Sequence, residues 1–298
     1  MTLAVLLLLA QSIKVDVRLV SASFTVRDPA GKLVTGLTKD DFEVTDDGVR
    51  QKIAVFSRAE DLPLALGLIV DVSGSQAPFV KQHRRDIGNF LKAVMKPRDQ
   101  AFMLCFANRL RLGSDLSSDG NQVVDGLRRC EKSEELRIVG PRERRILGTA
   151  FYDALYYGIT EKLAAADGAR KAMVIFSDGE DNSSANDMMT TIETAQRFDA
   201  VVYAMRYTES PKSGELNGRN KYGIKVMERI SRETGGADFD AGEHGMKEFF
   251  RKIEEDLRSS YQVGYYSSLV TDDTFHKIRI RAVSPGLTVR AKTGYYSR

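Results

Sequence analysis

Four short apolar runs constrain this chain more than any other feature of it. Leu64 to Val70, Ala101 to Phe106, Ala172 to Phe176 and Ala200 to Met205 are near-continuous hydrophobic segments. A strand reads this way when both of its faces are covered, as inside a parallel sheet. The stretches between the runs carry helical periodicity. Phe79, Ile87, Phe90, Leu91, Val94 and Met95 share one face, and Ala154, Leu155, Ile159 and Leu163 share another. Further helices are expected over about 186–198 and 221–234, and a last one carries Met246, Phe249, Phe250, Ile253 and Leu257. This alternation predicts an α/β fold over residues 61–259: a doubly wound, mostly parallel sheet flanked by helices.

The pattern changes on either side. From residue 13 to 60 the period is two: Val15, Val17 and Leu19 alternate with Lys14, Asp16 and Arg18, and short strands flank the turn Asp46-Asp47-Gly48. From 260 to 298 the segments Tyr261–Tyr266, Phe275–Val283 and Leu287–Tyr296 are again strand-like, with Pro285-Gly286 turning between the last two as in a hairpin. The expected arrangement is one small antiparallel β domain formed from both chain ends, with the α/β domain inserted into it. The paired tyrosines Tyr265, Tyr266, Tyr295 and Tyr296 read as packing residues of those strands.

Residues 1–12 are set apart. The apolar run from Leu3 to Ala10 is far shorter than the about 20 residues that span a bilayer. It has the length of a signal-peptide core, with Ala10 near a cleavage point, though the basic segment that usually precedes such a core is missing. The expectation is an exported protein, periplasmic or at the cell surface.

Lys+Arg 44 against Asp+Glu 41 leaves a net charge of +3, no electrostatic footprint for nucleic acid. Two Cys exclude a four-cysteine zinc site. Three dispersed histidines, His83, His244 and His276, give no metal-ligand spacing, and His83 and His276 read as surface or packing residues. Cys105 is expected in a buried strand and Cys130 after a helix, as separate thiols, although export leaves a disulfide open. Residues 131–147 and 209–221 are polar and locally basic, and read as solvated loops or as a rim for an acidic partner.

The chemistry gathers at strand ends. In an open α/β sheet, ligands sit beyond the carboxyl ends of the strands. The first apolar run ends in Asp71-Val72-Ser73-Gly74-Ser75, and the third in Ser177-Asp178-Gly179-Glu180-Asp181. Thr149 follows Gly148 at the start of a helix. Carboxylates and hydroxyls are hard oxygen donors, suited to Mg2+ with Mn2+ or Ca2+ as substitutes, rather than to zinc.

Asp71, Ser73, Ser75, Thr149 and Asp178 resemble the metal-ion-dependent adhesion site (MIDAS) of von Willebrand factor type A domains, with all five positions filled in order. The resemblance implies that Ser73, Ser75 and Thr149 are direct or switch ligands and that Asp71 and Asp178 act largely through coordinated water. It also implies that an Asp or Glu of a partner protein completes the shell. The flanks are similar to the bacterial branch of that family described as VWFA-related acidobacterial proteins. The similar stretches are 34–42, 148–155, 177–181, 257–266 and 285–296. Leu147 departs from the Gly usual there, and the 131–147 loop is long and basic.

Enzymatic alternatives fit less well. A dehalogenase-type phosphatase needs a second carboxylate where Ser73 stands, and a serine hydrolase needs Gly-x-Ser-x-Gly with a base. No Gly-x-x-x-x-Gly-Lys phosphate loop is present. Asp178, Glu180, Asp181 and Asn182 lack the spacing of a helix-loop-helix calcium loop. The expected function is therefore non-enzymatic: metal-dependent docking of an acidic partner. The alternative is a structural scaffold of an envelope or secretion assembly with metal-independent contacts.

Overall fold

A computed structural model describes residues 19–58, 60, 62–132, 135–141, 148–207, 218–241, 246–267 and 274–297. The leader-like segment and most of the two basic loops lie outside the described residues. In chain order the first strands are β1 (Leu19–Arg27), β2 (Phe42–Asp46), β3 (Val49–Gln51) and β4 (Ile53–Arg58). The α/β unit follows with β5 (Leu64–Asp71), α1 (Val80–Val94), β6 (Gln100–Phe106), β7 (Leu110–Ser117), α2 (Gly120–Glu131), β8 (Arg137–Val139) and α3 (Phe151–Tyr157). It continues with β9 (Arg170–Ser177), α4 (Met188–Arg197), β10 (Ala200–Arg206), α5 (Gly218–Thr234), β11 (Asp238–Asp240) and α6 (Met246–Arg258). The chain closes with β12 (Tyr261–Tyr266), β13 (Phe275–Ala282), β14 (Thr288–Ala291) and β15 (Gly294–Tyr296).

The α/β unit is a seven-stranded sheet in the order β11-β10-β9-β5-β6-β7-β8. β11, β10, β9, β5 and β6 run parallel, and β7 and β8 add antiparallel at one edge. All eight residues of β5 are buried, which explains its unbroken apolar sequence. Alternate residues feed two cores. Leu64, Leu66, Leu68 and Val70 pack toward α1, α2 and α6 through Phe90, Leu127 and Phe250. Ala65 and Ile69 pack toward α3, α4 and α5 through Phe151, Ile192 and Met227. The α/β layering is as the periodicity predicts.

β7, β8 and β11 have no counterpart in the sequence reading. β7, between β6 and β8, carries Arg111, and the three-residue edge strand β8 carries Arg137, so neither shows an uninterrupted apolar run. β8 also turns part of the supposed 131–147 loop into sheet. A second correction concerns the cysteines. Cys105 on β6 and Cys130 on α2 are bonded to each other, not separate. Their close approach follows from α2 packing flat on β7: Gly113 and Gly126 meet backbone to backbone, with no room for a Cβ at either.

The chain ends form the expected antiparallel β domain, built as two four-stranded sheets, β14-β1-β12-β4 and β15-β13-β2-β3. They face each other over a core of Phe24, Phe42, Val44, Tyr261, Val263 and Ile280. The expected terminal hairpin is not formed. The turn at Gly286 exists, with φ 83°, but β14 pairs with β1 in the opposite sheet, and the chain returns to β13 only as β15. The predicted single strand from Leu287 therefore breaks at Lys292 and Thr293, where the chain crosses between sheets. Tyr265 and Tyr295 are buried as packing residues, whereas Tyr266 is largely exposed.

This β sandwich docks on the N-terminal edge of the large sheet. Asp199, just before β10, accepts from the backbone and hydroxyl of Ser23 at 3.2 and 3.0 Å and from Gln262 at 3.1 Å. Asp256 of α6, 1% exposed, is clamped between Arg27 of β1 and Arg290 of β14. The opposite, C-terminal edge of the sheet is thereby left to solvent and loops.

Candidate metal centre

The chain order reverses around β5: β6 lies on one side of it and β9 on the other. The crevice at such a switch point is where open α/β sheets bind ligands. Asp71 ends β5 and Asp178 follows β9, so both carboxylates emerge there.

Asp71 is fully buried. Its Oδ1 accepts from the Ser73 backbone N–H at 2.9 Å, and its Oδ2 from Ser177 Oγ at 2.7 Å. Burial pushes this carboxyl up to about 6, against the lowering effect of the Ser73 and Ser177 hydrogen bonds. An ionised group so placed is short of positive charge. Each oxygen already accepts one hydrogen bond inside the protein.

Ser73 caps a single 3-10 turn, Gly74–Gln76, that lifts Ser75 beside it. The two hydroxyl oxygens lie 3.3 Å apart. Adjacent oxygens in an octahedral shell at ~2.1 Å stand about 3.0 Å apart, so the pair fits two neighbouring ligands of one Mg2+. Ser75 Oγ donates to Asp178 Oδ2 at 2.8 Å, leaving its lone pairs for a cation. Asp178 is held further by Gln76 Nε2 at 3.0 Å and by the Glu180 N–H at 3.1 Å. Gln76 Nε2 also donates to the Tyr207 carbonyl at 3.0 Å, tying the end of β10 to the same cluster. Behind Asp178, α5 comes so close that a Cβ at Gly223 would overlap the Asp178 carbonyl oxygen.

Thr149 enters from a third loop. Its N–H donates to Asn182 Oδ1 at 2.7 Å, and its carbonyl accepts from the Asn182 N–H at 3.1 Å. Asp181 then caps α3 through the Phe151 N–H at 2.8 Å. The loop after β9 therefore positions both Asp178 and Thr149. Asp71, Ser73, Ser75 and Asp178 belong to one hydrogen-bonded constellation through Ser177 and Ser75. Thr149 is tied only to Asn182 and Ser183, in the same loop as Asp178, and no described residue hydrogen-bonds its hydroxyl. The sequence reading does not single out Ser177 or Gln76 as positioning residues. Ser177 stands in the same Ser-Asp-Gly stretch, but the loop position of Gln76 carries no periodic signal of its burial.

Next to the cluster, His83 of α1 is fully buried among Phe79, Phe176 and Tyr207. Burial lowers its pKa to about 3, so the ring is neutral. It is an internal packing residue, and neither ring nitrogen has a hydrogen-bond partner among the described residues.

No protein-family model matches this sequence, and no curated protein matches it. Solved structures resemble it in fold. An aerotolerance-related membrane protein from Bacteroides fragilis, carrying multiple mutations to serines, is 14% identical, with TM-score 0.49 over 65% of this chain and 98% of that one. The hypothetical protein BatB from Bacteroides thetaiotaomicron is 14% identical, with TM-score 0.46 over 66% of this chain and 100% of that one. Proximal thread matrix protein 1 from the mussel byssus, solved with a zinc-occupied MIDAS motif, is 14% identical, with TM-score 0.49 over 71% of this chain and 49% of that one.

Proposed function

We propose that this chain is an exported, non-enzymatic binding module that docks an acidic residue of a protein partner through a Mg2+ site of the MIDAS type, and that it belongs with the VWFA-related acidobacterial proteins. The observation that carries the reading is the cross-loop bond from Ser75 Oγ to Asp178 Oδ2, with Ser73 Oγ beside it and Asp71 beneath. In this proposal Ser73, Ser75 and Thr149 hold the ion, with Asp71 and Asp178 holding its water. The bound ion supplies a Lewis-acidic position that a partner carboxylate can fill. Ser177 and Gln76 fix the two carboxylates so that they do not turn away. The Cys105–Cys130 disulfide supports an oxidising compartment, and hence export. Among the described residues no helix is long and apolar enough to cross a membrane.

The test is the unfolding midpoint of chelator-stripped protein with and without Mg2+ or Mn2+, beside Asp71→Ala. An ion at about 100 times its dissociation constant adds roughly 2.7 kcal/mol to the native state. That gain should be lost in the variant, and capture of envelope proteins should be sensitive to chelator. Asp71 already has both oxygens satisfied within the protein. A metal-independent scaffold is the second reading, and an equal midpoint in all conditions would overturn the metal site and move the search to the basic loops and the β domain.

A further inference from the structure

A second, chemically different cluster lies in the β sandwich. Asp46 ends β2 and is fully buried. One of its oxygens, Oδ2, accepts three hydroxyls: Tyr295 at 2.8 Å, Ser267 at 2.9 Å and Tyr265 at 3.2 Å. The other, Oδ1, is equally buried and has no hydrogen-bond partner among the described residues. A buried carboxyl oxygen left without a partner is costly, and a bound cation would supply one.

The neighbours supply what an ion would need. Asp47 and Gly48 both have positive φ, 46° and 84°, and the tight turn they make brings the Asp47 carboxylate back against β13. There Asp47 Oδ1 accepts from the Lys277 N–H, and Oδ2 lies 2.8 Å from His276 Nδ1. One oxygen of Asp46, one of Asp47 and one ring nitrogen of His276 fall within 4.8 Å of one another. His276 is 5% exposed, and its Nε2 sits 3.0 Å from Ser297 Oγ. A histidine that ligates a metal through one nitrogen characteristically donates the other N–H to such a partner, which fixes tautomer and ring orientation. Asp47 is 41% exposed at the rim and gives an ion a way in.

We propose that Asp46, Asp47 and His276 form a second cation site, selective for a divalent ion of the Zn2+ class rather than Mg2+. Two carboxylates and an imidazole are a mixed oxygen–nitrogen donor set, which favours borderline transition ions, whereas the all-oxygen cluster at Asp71 suits Mg2+. The ion replaces the proton between His276 Nδ1 and Asp47 Oδ2, takes one oxygen of Asp46 as a third ligand and balances the carboxylate charge. It would pin the β2–β3 turn to β13 and β15, and so lock the two chain ends together.

Co2+ titration followed by visible absorption, with Zn2+ competition, tests this on the full chain carrying Asp71→Ala. That background removes the other proposed centre, so failure of either proposal can be told from failure of the other. One equivalent of Co2+ should bind, be displaced by Zn2+ but not by excess Mg2+, and weaken by about 100-fold on adding His276→Gln, which keeps a hydrogen-bonding side chain. Absence of Co2+ binding in the Asp71→Ala protein, or unchanged affinity with His276→Gln, would overturn the site. Should the double variant not fold, Co2+ must shift the His276 ring protons in the NMR spectrum of the Asp71→Ala protein, and an unshifted ring would be equally decisive against it.

Discussion

Ser75 and Asp178, 103 residues apart in the chain, are joined side chain to side chain at 2.8 Å across the switch point of the sheet. The bond couples the loop after β5 to the loop after β9. Ser75→Ala leaves Asp178 Oδ2 to Gln76 alone and removes one proposed ligand. The stability cost of a half-exposed hydrogen bond is about 1 kcal/mol. Mg2+ affinity measured by calorimetry should fall at least tenfold, and an unchanged affinity removes Ser75 from the ligand set.

Asp256 holds the sandwich onto the α/β unit through Arg27 at 2.7 Å and through Arg290, and is itself 1% exposed. Asp256→Asn keeps the shape but leaves two guanidinium groups without their carboxylate. Breaking one side of such a buried cluster costs about 3 kcal/mol. Urea denaturation should show that loss, with Mg2+ binding to the folded variant unchanged because the clamp sits at the opposite edge from Asp71.

The Cys105–Cys130 bond closes a loop with a sequence separation of 25. Constraint of the unfolded chain by a loop of that size is worth about 3 kcal/mol. The double variant Cys105→Ala/Cys130→Ala should unfold at correspondingly lower denaturant. A reducing agent should lower the midpoint of the natural chain and leave that of the variant where it is.

His83 gives the fold a pH dependence whose sign is fixed by burial. Its native pKa, about 3, lies below the unfolded value of 6.5. Stability from this group is complete above the unfolded value and is lost as pH falls toward the native one. Between pH 7 and pH 5 the loss is about 2 kcal/mol. Chemical denaturation at the two pH values should show it in the natural chain, and His83→Leu should abolish that component.

The β5 run and the Asp-x-Ser-x-Ser stretch after it are legible because both depend on local spacing. An unbroken apolar run signals burial on two faces, and a strand end signals a place at the sheet edge. The β7 strand was not legible, because Arg111, Gly113, Ser114 and Asp115 interrupt its apolar pattern although it is paired on both sides. The terminal hairpin failed for a related reason: Pro285-Gly286 specifies a turn but not which strand the returning chain will pair with. That choice falls to β1, whose buried residues need a neighbour on that side.

The sequence by itself determined the layered α/β architecture and the placing of Asp71 and Asp178 just at the ends of β5 and β9, because periodicity and strand position are properties of neighbouring residues. Only the tertiary structure decided that Cys105 meets Cys130, that Gln76 reaches both Asp178 and Tyr207, and that Asp46 lies buried beside Asp47 and His276 with one oxygen bare. Each of these is a contact between segments far apart in the chain. Their partners are chosen by how helices and sheets pack, and no local pattern encodes that choice.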